Sequence, residues 1–131
     1  MDLESRELHP DVVRFIDERI DSVPHLEALL LLWESGAMRW AVDQTAARLY
    51  VSNDRAGAIL EDLVKRRLAR REPGQDRAFY LYDGDWDKNG EQMARIATAY
   101  RRQLLQVAAL IHSRGSAAVR DFARAFRIKK E

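Results

Sequence analysis

The sequence predicts a mainly α-helical domain with one small β-hairpin among its helices. Three observations point there. Apolar residues recur at three- and four-residue spacing in four segments before residue 68. A strand–turn–strand pattern follows over 68–82, and a long apolar stripe runs over 87–112. These periods separate a helix packed on one side from an extended strand.

Pro10-Asp11 opens a first helix of about 10–20, because proline suits the first turn and acids favour that end. Val12, Phe15, Ile16 and Ile20 form its apolar stripe. Ser22 offers an N-cap for a second helix of about 23–34, with Pro24 in its first turn. Leu26, Leu29, Leu30 and Trp33 lie on one side of it and Leu31 and Leu32 on another, so it should be buried broadly. Gly36 ends it. Arg39-Trp40-Ala41 reads as a short extended piece before a third helix of about 42–50, with Val42, Ala46 and Leu49 inward. After the tight turn at Val51-Ser52, Ser52 caps a fourth helix of about 53–67 whose inward set is Ala56, Ile59, Leu60, Leu63 and Val64. Two short helices joined so briefly are the mark of a helix-turn-helix.

The strands 68–71 and 77–82 flank Pro73-Gly74-Gln75-Asp76, a strong turn signal. The order helix, helix, helix, hairpin is that of a winged helix. Phe79, Tyr80 and Tyr82 fall on both faces of the second strand, so one face needs cover beyond the core. From 87 to 112 a single long helix is expected, striped by Met93, Ile96, Ala97, Tyr100, Leu104, Val107 and Ile111. Its length exceeds what one small core needs. Gly115 ends it, and Ser116 caps a last short helix through about Phe126 with Val119, Phe122 and Phe126 inward. The chain thus reads as one domain over 1–131: a helical extension at 1–20, a winged-helix core at 21–84 and a C-terminal helical extension at 85–131.

Composition narrows the function. Of the 131 residues, 47% are hydrophobic and 33% charged, which suits a packed domain rather than a disordered one. With no cysteine, disulfides, thiolate metal sites and a cysteine nucleophile are excluded. The acidic start Met1-Asp2-Leu3-Glu4-Ser5 lacks the order of an export signal. The longest apolar run, Ala28 to Trp33, is far short of the roughly 20 residues that span a bilayer. A soluble, cytoplasmic protein with no membrane insertion is expected. The net charge of +1 hides a gradient, −6 over residues 1–35, +1 over 36–86 and +6 over 87–131.

The span from about Val23 to Tyr82 resembles winged helix-turn-helix regulators of the bacterial MarR-like and ArsR-like superfamily. The resemblance is carried by His25-Leu26-Glu27-Ala28-Leu29-Leu30, by Ala46-Ala47-Arg48-Leu49, and by Leu60-Glu61-Asp62-Leu63-Val64-Lys65-Arg66-Arg67-Leu68 running into the hairpin. The ending Ala118-Val119-Arg120-Asp121-Phe122-Ala123-Arg124-Ala125-Phe126-Arg127 is similar to that of small bacterial winged-helix proteins. The resemblance implies DNA binding as a homodimer and regulation of nearby genes. Function has to be argued from the site, because fold alone does not carry it.

In such a domain the fourth helix enters the major groove and its first residues reach base edges. Here those are Ser52, Asn53, Arg55 and Ala58. Asparagine matches adenine and arginine matches guanine, each through two hydrogen bonds. Lys65, Arg66, Arg70, Arg71 and Arg77 are the candidate phosphate contacts, part of six bases against two acids over 65–77. Ile96, Tyr100, Leu104, Val107 and Ile111 are the candidate dimer interface. Gly57 is expected to permit close approach to a backbone. Asp54, Glu61 and Asp62 on the same helix count against DNA and favour the alternative, a winged-helix adaptor that binds a protein partner without DNA.

No enzyme is read here, and no cofactor. Asp85-Trp86-Asp87-Lys88-Asn89-Gly90 matches the opening of a calcium loop, but Met93 and Ile96 stand where its later ligands belong. Asp87 reads better as the N-cap of the long helix. His9, His25 and His112 show no metal-ligand spacing, so no metal site is expected.

Overall fold

The computed structural model describes residues 7–113. The expected helix over 117–126 lies outside the described residues. The chain falls into two compact units, one of Val23–Ala94 and one of Met1–Ser22 with Arg95–Glu131.

The Val23–Ala94 unit is built as the sequence implies. Helix α2 (Val23–Glu34) buries Leu26, Leu29 and Leu32 fully, and Gly36 closes it at φ +63°. That left-handed angle is one glycine adopts without steric penalty. Trp40 follows, paired with Tyr80 by two backbone hydrogen bonds of 2.9 and 2.8 Å. The expected extended piece is therefore a third, one-residue member of the sheet. The Trp40 indole donates to Ser35 Oγ at 2.9 Å, which in turn donates to the Leu31 carbonyl at 2.6 Å, anchoring the connection to α2.

Helix α3 (Val42–Leu49) starts with Gln44 Oε1 accepting from the Ala41 N–H at 3.0 Å. It ends on Tyr50, which takes φ 59° and ψ 44°. Helix α4 (Asn53–Lys65) is capped by Ser52, whose Oγ accepts from the Arg55 N–H at 3.1 Å. Ala56, Ile59, Leu60 and Leu63 point into the core. Burying one such leucine or isoleucine is worth about 1.5–3 kcal/mol. The helix stops two residues before the expected 67, because Arg67 turns into the left-handed region at φ 63°. Strands β1 (Ala69–Pro73) and β2 (Ala78–Tyr82) pair antiparallel, Ala69 opposite Tyr82 and Pro73 opposite Ala78. The tip closes through a Gly74 N–H to Arg77 carbonyl bond of 2.8 Å.

Helix α5 (Glu91–Arg102) begins four residues later than the expected 87. Asp87 is a cap from outside the helix: its two carboxylate oxygens accept from the Gln92 N–H at 3.2 Å and the Met93 N–H at 2.8 Å. The residue just before the helix is Gly90, at φ +73°. With both Asp87 oxygens engaged by backbone amides, the loop serves the helix start.

The second unit contains helix α1 (Pro10–Arg19), whose N-cap is His9, with Nδ1 accepting from the Asp11 N–H at 3.0 Å. Arg95 pairs with Asp11 at 3.2 Å. The expected single helix to 112 is interrupted: α5 ends at Arg102, Gln103 is non-helical, and a further helix, α6, occupies 104–113. The ladder bridges the break, with Gln103 N–H to the Ala99 carbonyl at 2.7 Å and Val107 N–H to the Gln103 carbonyl at 3.0 Å. Ile96, Val107 and Ile111 are buried within the chain itself. Their apolar stripe is thus already covered in the protomer. Tyr100 is half-buried, and among the five expected interface residues Leu104 alone is exposed, at 47%. Its neighbour Leu105 is 83% exposed.

Candidate nucleic-acid interface

The start of α4 carries polar residues on one edge because Ala56, Ile59, Leu60 and Leu63 claim the opposite edge for the core. Ser52, Asn53, Arg55 and Ala58 are all exposed, as is Asp54. Ser52 Oγ is committed as an acceptor to the Arg55 amide, so its first role is to cap the helix. Gly57 does not meet a neighbouring backbone. The nearest atoms to a Cβ there are the Val42 methyls at 3.8 and 3.9 Å, an ordinary packing distance.

The wing bases divide into two groups. Arg71 donates to Glu61 Oε2 at 2.7 Å and Arg77 to Asp43 Oδ1 at 2.8 Å. Thus two of the expected phosphate contacts are held by acids on α4 and α3. The Tyr80 hydroxyl also donates to Glu61 Oε2, at 2.5 Å. That hydrogen bond and the Arg71 guanidinium together hold the Glu61 carboxyl below its ordinary value, against the opposing effect of partial burial. The same carboxylate raises the Arg71 pKa. Burial, reinforced by Glu61, pushes the Tyr80 phenol up. Arg55, Lys65 and Arg70 are exposed and have no ion-pair partner among the described residues. Arg66 is half-buried.

A further layer was not anticipated from sequence. Arg39 lies 4.5 Å from the Phe79 ring centroid and pairs with Glu72 at 3.7 Å, while Arg77 lies 5.6 Å from the same ring. A guanidinium over a ring is attracted by its quadrupole. The Phe79 side of β2 is therefore covered by arginines within this unit. Tyr50, also unanticipated, sits in the turn between α3 and α4 and is 93% exposed. The available signal was an aromatic residue directly before the cap of α4, outside any apolar stripe. His25 Nε2 donates to Asp62 Oδ2 at 3.1 Å, tying α2 to α4 and occupying one of the acids that argued against DNA.

The molecule thus joins a helix-turn-helix to a hairpin whose second strand also pairs with the segment before α3. The chain has a winged-helix fold. RV1404 from Mycobacterium tuberculosis superposes on this winged helix with a TM-score of 0.54 at 15% identity, covering 92% of this chain and 80% of that one. Reduced HlyU from Vibrio cholerae superposes at 0.51 with 20% identity, covering 69% of this chain and 84% of that one. A MarR-like transcriptional regulator from Thermotoga maritima gives 0.46 at 17% identity, over 84% of this chain and 77% of that one. No protein-family model and no curated protein matches the sequence. No described helix is long and apolar enough to cross a membrane.

Proposed function

We propose that this winged helix binds double-stranded DNA as a transcriptional regulator. The observation that carries the reading is the exposed edge of Asn53, Arg55 and Ala58 on the first turns of α4, beside a hairpin whose Arg70 is unpaired among the described residues. In this reading α4 lies in the major groove, where Asn53 meets adenine and Arg55 meets guanine. Ser52 holds the helix start in register. Lys65, Arg66 and Arg70 neutralise phosphates directly. Arg71 and Arg77 do so by exchanging Glu61 and Asp43 for the DNA backbone. The regulator acts in the cytoplasm as a homodimer, with exposed Leu104 and Leu105 meeting a second copy, since Ile96, Val107 and Ile111 are already covered.

The test is a titration against mixed-sequence duplex DNA at two salt concentrations. Affinity should fall steeply with salt. Arg70→Ala should weaken binding to all sequences and lower the log–log salt slope by about one. Arg55→Ala should relax sequence preference at one base pair, by about 1–3 kcal/mol. No binding at low salt, or an affinity indifferent to salt, overturns the proposal and leaves the protein-partner alternative.

A further inference from the structure

Tyr50 combines an exposed aromatic ring with a left-handed backbone at the end of α3. Its ring is almost wholly in solvent, 93% exposed, on a residue type that normally hides most of its surface. Its backbone sits at φ 59° and ψ 44°, where a side chain is strained and glycine or asparagine is the usual occupant. The backbone is nonetheless firmly held. The N–H groups of Tyr50 and Val51 both donate to the Ala46 carbonyl, the latter at 3.1 Å. A rigid, strained backbone therefore presents a free ring whose hydroxyl has no partner among the described residues. A left-handed residue is a common helix ending, as Arg67 shows after α4, so the angle fixes where the ring is presented and the ring's exposure marks it for a contact.

The position names the contact. Tyr50 lies two residues before Ser52, the cap of α4, and exposed Arg48, Asn53 and Arg55 flank it in sequence. If α4 occupies a major groove, the turn before it faces the phosphate strand bordering that groove. We infer that Tyr50 is a DNA-backbone contact, its hydroxyl donating to a phosphate oxygen. This rests on the DNA-binding reading above. A neutral hydroxyl adds affinity to a phosphate without displacing a counterion, unlike the arginines of the wing.

That difference makes the test specific. Tyr50→Gly relieves the strain, so the variant should melt at or above the temperature of the unmodified chain. Its affinity for duplex DNA should nevertheless drop about tenfold, the scale of losing a hydrogen bond to a charged group. The salt slope should stay unchanged. Tyr50→Asn, also tolerated at this backbone angle, should behave alike, and Tyr50→Phe should lose most of the same affinity. Unaltered affinity in Tyr50→Gly or Tyr50→Phe, with the unmodified chain binding normally, overturns the Tyr50 contact and spares the DNA reading. Failure of the unmodified chain to bind DNA overturns both.

Discussion

The Tyr80 hydroxyl of β2 donates a 2.5 Å hydrogen bond to Glu61 of α4, so one carboxylate holds the wing to the helix beside it. Arg71 of β1 reaches the same oxygen at 2.7 Å. Each strand of the hairpin is thereby fixed to α4 by a side chain as well as by the core beneath. A wing held in this way is pre-organised relative to the helix, which reduces the ordering cost of binding any partner.

Replacing Glu61 by Gln should therefore loosen the wing. The Tyr80 bond is worth about 1 kcal/mol once screening by solvent is allowed for. Because the folded chain holds the Glu61 carboxyl below the ordinary glutamate value of 4.5, its stabilisation is present above that value. It is lost as the pH falls through the lowered folded value. Urea titrations of the unmodified chain and Glu61→Gln should show a gap near neutral pH that closes in acid. A gap that persists undiminished at about pH 3 would separate the stabilisation from the carboxylate charge.

Two glycines should respond to alanine in opposite directions. At Gly57 a Cβ meets only the Val42 methyls at 3.8 and 3.9 Å, so Gly57→Ala should raise stability by about 1 kcal/mol through helix propensity. At Gly74 a Cβ would stand 2.5 Å from the Arg77 carbonyl oxygen and 2.5 Å from the Phe79 ring, inside both atoms. Gly74→Ala should open the hairpin tip and cost on the order of 2 kcal/mol. Thermal melts of the two variants check both signs in one experiment.

Much of this fold was legible because its strongest signals are local. The leucine run closed by Gly36 fixed α2 to the residue, and Pro73-Gly74 placed the hairpin tip. The interruption at Gln103 was not legible, since the apolar stripe crosses it and neither proline nor glycine stands nearby. The stripe also told that Ile96, Val107 and Ile111 are buried, but periodicity does not say by what. The left-handed backbone at Tyr50 and Arg67 falls on residue types that rarely adopt it, so no sequence rule marks it. The candidate site was legible as exposed residues on α4 and bases on the wing. What escaped was the pairing of Arg71 with Glu61 and of Arg77 with Asp43, 10 and 34 positions apart. Such pairs form only once the hairpin is laid against the helices, and they divide the bases into engaged and available ones.

Tyr82, at the end of β2, ties the fold to alkaline pH. Burial raises its phenol to about 12, the Asp87 carboxylate that caps α5 and Asp83 add to the shift, and the neighbouring Trp86 indole opposes it. The unfolded chain loses this proton near its ordinary value of 10.0, while the folded chain keeps it. Stability from the neutral phenol is thus complete below pH 10 and lost as the pH rises towards 12. The shift corresponds to on the order of 2 kcal/mol. Tyr82→Phe has no proton to lose, so its stability should decline less steeply over that interval, measured by urea titration at fixed ionic strength. Tyr80, also raised, remains in both proteins and cancels in the comparison. Equal alkaline slopes would mean that the Tyr82 hydroxyl meets solvent in the folded chain, and the packing of β2 against the loop before α5 would have to be redrawn.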